Sequence, residues 1–316
     1  MAFDLSGMRV YVAGHRGMVG SALVRRLASE KCQTLTINRD RVDLRDQAAV
    51  NLWFDENRPD AVFLAAARVG GIYANDVSPG DFLYDNLALQ TNVIEAARRA
   101  QVKKLVFFGS SCIYPRLAPQ PIAESCLLSG ALEPTNQWYA IAKIAGLKLC
   151  EAYRRQHGCD FVSVMPTNLY GPGDNLDPMT SHVLPALIVK IDAATQRGQD
   201  TVELWGTGQA RREFLHVDDL ADAAIFLMKN WSEDTHINIG TGRDSTILEL
   251  AQMIASIIGF QGSFSFDPSK PDGTPRRLLD VSRLRKLGWH HRIGLATGIR
   301  QTYDWYITSQ RAGQEY

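Results

Sequence analysis

The sequence predicts an α/β fold: a Rossmann-type, doubly wound parallel sheet with a smaller, discontinuous substrate-binding lobe. Three observations point to it. A short apolar run at residues 9–13 leads into three spaced glycines and then an amphipathic helix. As far as residue 165, apolar strand-like runs alternate with helical ones at the rhythm of βαβ units. The stretches that carry chemistry follow the carboxyl ends of those strands, where open α/β sheets hold their ligands.

The first turn reads Gly14-His15-Arg16-Gly17-Met18-Val19-Gly20, ahead of a helix expected over 18–29. The first glycine permits the tight turn, the second lets a pyrophosphate approach the backbone, and the third lets helix pack on strand. Helix N–H groups and dipole then face the phosphates. The second strand, 34–37, ends in Asn38-Arg39-Asp40-Arg41, where an NAD site would place a carboxylate for the ribose hydroxyl. Arginines there and at Arg16 suit a 2′-phosphate, so the expected cofactor is NADP(H). Asp43 and Leu44 are placed at the adenine edge. The third strand, 61–65, runs into Ala65, Ala66 and Ala67, small enough for a flat cofactor to lie close.

A helix over 81–100 and a strand over 105–108 lead to Gly109-Ser110-Ser111-Cys112. The next helix, 139–149, carries Tyr139-x-x-x-Lys143, and residues four apart share a helix face. A nearby ammonium favours phenolate, so the expectation is a Tyr139 that exchanges its proton more readily than a free phenol of pKa ~10. The Ser110 hydroxyl could share a substrate carbonyl oxygen with that phenol. Strand 161–165 ends in Pro166-Thr167-Asn168-Leu169.

Composition narrows the partners. With 316 residues, 45% hydrophobic, the chain can bury a large core. Lys plus Arg and Asp plus Glu balance at 34 each, with no long run of one sign, which argues against nucleic acid or an anionic membrane surface. No apolar run approaches the ~18 residues of a membrane span, and residues 1–7 lack a signal-peptide pattern. Five cysteines at scattered spacings read as reduced cytoplasmic thiols, with no zinc spacing among them.

The blocks Gly14–Ser21, Ala65–Gly71, Gly109–Pro115, Glu133-Pro-Thr-Asn136, Tyr139–Lys143, Met165–Pro172, Arg212–Asp219 and Lys270–Pro275 resemble the extended short-chain dehydrogenase/reductase family acting on nucleotide-diphosphate sugars. The likeness runs over nearly the whole chain. It implies epimerisation of GDP-4-keto-6-deoxy-D-mannose at C3 and C5, then NADPH-dependent reduction at C4 to GDP-L-fucose. Another nucleotide-sugar epimerase or reductase of the same family is the alternative. By resemblance, Cys112 and His182 are the base and acid of epimerisation, Ser110 and Tyr139 hold the C4 oxygen, and Lys143 holds the nicotinamide ribose. Gly109, Ser110, Ser111, Pro166, Thr167, Asn168, Leu169 and His182 would line the cofactor. Family members commonly pair through the 81–100 helix and the Tyr139 helix, which implies a homodimer.

After residue 172 the alternation breaks. A loop is expected at 172–178, a helix over 181–196 carrying Lys190, and a strand over 202–205 ending at Trp205. Arg212 and Lys190 suit a diphosphate, and Trp205 suits a base or sugar face. The resemblance has arginine where Lys190 stands. It also brings Asp272 and Arg277 to the nucleotide sugar. Asp218 reads as N-cap of a helix over 220–228, after a 214–217 strand. A returning strand over 237–240 and helices over 247–258 and 295–309 complete the chain. The expected division is 1–172 plus 214–242 for the cofactor and 173–213 plus 243–316 for the substrate.

Overall fold

The computed structural model describes residues 3–177, 180–270 and 272–311. In order it runs β1 (Arg9–Ala13), α1 (Met18–Leu27), β2 (Gln33–Leu35), α2 (Gln47–Asn57), β3 (Ala61–Leu64), α3 (Ile72–Val77), α4 (Pro79–Arg99), β4 (Lys104–Phe108), α5 (Gln137–His157), β5 (Phe161–Pro166) and β6 (Asn168–Tyr170). Then come α6 (Val183–Gln196), β7 (Thr201–Trp205), β8 (Arg211–His216), α7 (Val217–Asn230), β9 (Ile237–Ile239), β10 (Asp244–Thr246), α8 (Ile247–Ile258), β11 (Ser263–Asp267), β12 (Arg276–Arg277), α9 (Ser282–Lys286) and α10 (Leu295–Arg311).

Six strands form one parallel sheet in the order β2-β1-β3-β4-β5-β9. Successive strand residues point to opposite faces, so a sheet covered on both sides must be largely apolar. In β1, Val10 and Val12 join Leu23 and Leu27 of α1 and Leu220 of α7 on one face. Tyr11 and Ala13 face the other way, with Trp53 and Phe54 of α2, Val93 of α4 and Leu147 of α5. A third core lies outside this sandwich, where Ile188 and Ile191 of α6 pack with Leu250 and Ile254 of α8 and Ile299 of α10. It is roofed by β11 paired on β7 and by a second small sheet in which β8 takes β6, β10 and β12 as neighbours.

Several expectations shift. β8 begins at Arg211 instead of residue 214, because Arg211 and Arg212 pair with both β10 and β12; the boundary expected at 213/214 therefore falls inside a strand. Helix α2 had no counterpart in the sequence reading. Its signal was present: Asp46 accepts from the N–H groups of Ala48 and Ala49, and Val50, Trp53 and Phe54 lie on one face. Asp218 is not the cap of α7. His216 is, its Nδ1 accepting from the Asp218 N–H at 3.2 Å, while Asp219 accepts the N–H groups of Arg292 and Ile293. The loop expected at 172–178 is described to Asp177, and Pro178 and Pro271 lie outside the described residues. All five cysteines are free thiols. No helix among the described residues is long and apolar enough to cross a membrane.

Candidate active site

At the carboxyl end of β1 the three glycines divide their work. Gly14 has φ +85°, and a Cβ there would stand 2.7 Å from the Ala66 backbone. A Cβ on Gly20 would overlap the Gly14 carbonyl oxygen, so α1 can close on β1 only with glycine at that position. Gly17 differs: its N–H bonds Gly14 at 3.0 Å, and a Cβ would meet nothing nearer than 3.6 Å. Gly17 also caps α1 with no side chain of its own, leaving the first-turn N–H groups aimed outward. That open position fits a pyrophosphate approaching the backbone.

His15, Met18 and Val19 flank the turn half-buried, and Arg16 is exposed beside it. Past β2, Asn38 and Arg39 are exposed, and the Arg39 guanidinium lies 3.6 Å from Asp43. Asp43 is gripped by Arg45 at 2.7 Å, which holds its carboxyl down at about 2. Arg45 passes on to Asp85 and Asp85 to Arg68, each at 2.9 Å. The Leu44 carbonyl accepts the Asn92 amide at 3.0 Å.

The reactive groups gather where β4 ends. Ser110 heads a 3₁₀ turn, its Oγ accepting from the Cys112 N–H at 3.2 Å, and Ser111 is buried behind it. Gly109 lies against the end of the Met165 side chain, which would have to shift to admit a Cβ. The α5 helix packs on this turn and brings Tyr139 to Ser110 and Cys112. Burial pushes the Tyr139 phenol well up, the Cys112 sulfur adds to that, and a hydrogen bond with Ser110 opposes it.

Lys143 differs from its expectation. It is 2% exposed, and its ammonium donates to the Phe108 carbonyl at 2.9 Å instead of to the phenol. Burial brings it down to about 7, and the net shift of Tyr139 is upward, so the lysine does not make this phenol acidic. Tyr139 therefore holds its proton at neutral pH.

One partner of Cys112 had not been singled out. The Asn136 amide donates to the Cys112 sulfur at 3.3 Å, from a 3₁₀ turn at Pro134–Asn136 that packs against α3. Just ahead of α3, Gly71 donates to the Thr180 carbonyl at 2.9 Å and has no room for a Cβ against Ser181. That segment delivers His182 to the start of α6. The imidazole is solvent-accessible yet ringed by protein, and burial moves it below its ordinary value.

On the other wall, Arg212 of β8 and Arg277 of β12 stand in register. Burial, then repulsion from Arg277, lowers Arg212 to about 10. Arg212 donates to the Asp272 carbonyl at 3.0 Å, and the Asp272 carboxylate holds the Thr207 N–H and hydroxyl at 2.9 and 2.8 Å. Buried Glu133 accepts from Thr274, which in turn accepts from Arg277. Two adjacent guanidiniums in a part-desolvated cleft suit a diphosphate. Trp205 is 49% exposed, with the Lys270 ammonium 5.6 Å over its ring. Lys190 stands apart on α6, its ammonium on the Glu203 carbonyl at 2.5 Å. The strand-end groups Thr167 and Asn168 are tied to the Glu213 carbonyl at 3.2 and 2.8 Å, between Pro166 and Leu169.

The model of the NAD dependent epimerase/dehydratase family matches residues 10–240. A GDP-L-fucose synthase 1 of Arabidopsis thaliana is 55% identical over 95% of this chain and 93% of its own length. The GDP-L-fucose synthase of Escherichia coli K12 is 54% identical over 97% and 98%. Among solved structures, a GDP-L-fucose synthetase from Naegleria fowleri bound to NADP superposes with a TM-score of 0.90 at 27% identity, covering 98% of this chain and 97% of that one.

Proposed function

The chain belongs to the NAD dependent epimerase/dehydratase family, and from that premise we propose that it converts GDP-4-keto-6-deoxy-D-mannose to GDP-L-fucose, by epimerisation at C3 and C5 and reduction at C4. The relatives at 54–55% identity over nearly the whole chain support this reading. Within the chain, one observation carries it: a sulfur that accepts an amide hydrogen bond beside two hydroxyls placed for one carbonyl oxygen. A plain ketone reduction has no use for that sulfur.

NADPH, when bound, supplies the hydride. Its pyrophosphate falls to the turn from Gly14 to Gly20, and its 2′-phosphate to Arg16 and Arg39. Asn38, Asp43 and Leu44 lie along the adenine, with Ala65, Ala66, Ala67, Gly109, Ser111 and the 166–169 strand end along the rest. Lys143 and His182 approach the nicotinamide end.

C3 and C5 both lie alpha to the C4 ketone, so each proton is acidified by the same carbonyl. Cys112 as thiolate removes the proton; the C–H electron pair becomes the double bond to C4, and the carbonyl π pair moves onto the C4 oxygen, giving an enolate. Ser110 and Tyr139 hold that oxygen. His182 returns a proton to the opposite face; a burial-lowered pKa makes its imidazolium the stronger acid. In the reduction Tyr139, kept protonated by burial, gives its proton to the C4 oxygen. Arg212 and Arg277 hold the diphosphate and Trp205 the base or sugar, with Asp272 fixing the loop; Lys190 reaches the diphosphate on leaving Glu203. The proposed lobes are 1–172 plus about 211–242 for the cofactor and 173–210 plus 243–316 for the substrate, the boundary moved from 213/214 to the start of β8.

Incubation with the 4-keto sugar in deuterated water, without NADPH, tests the epimerase half. Deuterium should enter at both C3 and C5. NADPH added afterwards should be consumed in one equivalent. NADPH oxidation without exchange would leave a simple reductase in its place. A cofactor-binding regulator would show neither. The exposed Tyr84 of α4 with Trp138 and Ile141 of α5 supports a homodimer through that face, to be checked by light scattering. Five free thiols and balanced charge support a cytoplasmic setting.

A further inference from the structure

A hollow of about 330 Å³ opens beside the carboxyl end of β9, and none of its lining residues belongs to the catalytic cleft. Its floor is apolar: Val281, Leu284 and Trp289 are all buried. Its rim carries Arg243, Arg285, His290 and His291. No carboxylate lines it.

The acids nearby are engaged elsewhere. Asp219 accepts the Arg292 and Ile293 N–H groups at 3.1 and 2.9 Å. Glu213 accepts the Gly242 and Leu279 N–H groups at 2.7 and 2.9 Å. Asp222 takes the Trp289 indole N–H and Arg26, each at 2.9 Å. Among the described residues Arg243 enters no ion pair, and Arg285 donates to the Thr241 carbonyl at 2.8 Å, which anchors its guanidinium at the rim. Arg243, Arg285 and His290 all lie close enough to His291 to act on its charge. Burial first, then Arg243, Arg285 and His290, lower the His291 pKa against an opposing pull from Asp219.

Basic side chains on a surface usually scatter or pair, because gathering them costs repulsion. Here they gather over an apolar floor that strengthens any charge pairing above it. We propose that this hollow binds a small phosphate-bearing molecule, its phosphate between Arg243 and Arg285 and its apolar part on Val281 and Leu284. A guanidinium pair grips phosphate oxygens through parallel N–H bonds, which an ammonium pair could not do.

The probe is inorganic pyrophosphate, titrated calorimetrically into the full-length protein already saturated with NADPH and GDP, so that the catalytic anion sites are filled. One further site per chain is expected. Arg243→Glu should weaken it at least tenfold, and Arg243→Gln by less. Both variants should keep wild-type kcat and KM for the keto sugar. Reversing an exposed charge elsewhere, Arg197→Glu, should leave the affinity within twofold, separating a local site from net charge. No pyrophosphate heat up to low millimolar concentration would overturn the proposal. So would equal affinity in Arg243→Glu, or equal losses in Arg243→Glu and Arg197→Glu.

Discussion

Lys143→Met tests the electrostatics of the site through stability instead of turnover. Burial takes this lysine from 10.5 to about 7. Between those values the unfolded chain holds a proton that the folded chain has released, so wild-type stability should rise with pH across that window. The slope for one proton is about 1.4 kcal/mol per pH unit, reaching half of that at the folded pKa. Methionine has nothing to titrate. The stability of the variant relative to wild type should therefore fall by roughly 2 kcal/mol between pH 7 and pH 9. One other effect of the substitution sets an offset: the Phe108 carbonyl loses its donor, at a cost of about 1–3 kcal/mol. The cation 4.9 Å from the Phe107 ring centre is lost by the wild type itself as Lys143 releases its proton, so it belongs to the titration and not to the offset. Every other titrating group is common to both proteins. Urea denaturation of the two proteins without nucleotide, at half-unit pH steps, measures the difference directly. Parallel curves would refute a lysine near neutrality in the folded state, and with them the account of Tyr139 as a phenol that burial keeps protonated.

Replacing Cys112 with serine should lower C3 and C5 exchange about 100-fold or more while NADPH affinity stays within twofold; unchanged exchange, followed by NMR in deuterated water, removes the thiol as base. Tyr139→Phe should cut the reductive step by a similar or larger factor, read as single-turnover NADPH oxidation, with exchange less affected if Ser110 alone can hold the enolate oxygen. Gly20→Ala should cost about 1–3 kcal/mol and most cofactor binding, since its Cβ has no room beside Gly14, whereas Gly17→Ala should fold normally and lose cofactor affinity alone. Thermal melts with and without NADPH separate these two effects, and equal melting losses would contradict the division of labour among the glycines.

Much of the sheet was legible because a strand buried on both faces must be apolar at nearly every position: the readings 61–65 and 105–108 each differ by one residue from the observed 61–64 and 104–108, the buried Lys104 being the residue the apolar pattern left out. Helix α2 was missed because its single buried stripe is diluted by Asn51, Asp55, Glu56 and Asn57, and only the Asp46 cap announces it. The cap of α7 was misassigned for a related reason: Asp is the commoner capping residue, but here the strand hands over directly at His216, whose ring reaches the same N–H. The site divides along the same line. Spacing alone puts Tyr139 and Lys143 on one helix face, yet the environment of that face decides the charge of both, and burial reversed the expected effect of the pair.

Partners far apart in sequence were beyond reach for a different reason. Asn136 lies 24 residues from Cys112, and Glu133 lies 141 residues from Thr274. Both belong to one short stretch, Glu133-Pro-Thr-Asn136, which bridges the two halves of the chemistry. Its glutamate helps hold the loop that presents Arg277, and its asparagine touches the sulfur proposed to move protons. A rigid proline-containing turn between them would couple the position of the proposed diphosphate grip to that of the proposed base. Binding energy gathered at the nucleotide can thereby be used to orient the ketone over Cys112, which is how a remote handle raises turnover instead of merely tightening binding. On that reasoning, shortening the side chain by Glu133→Asp should lower C3 and C5 exchange on the full nucleotide sugar; unchanged exchange together with a raised KM would confine Glu133 to the grip and sever the coupling.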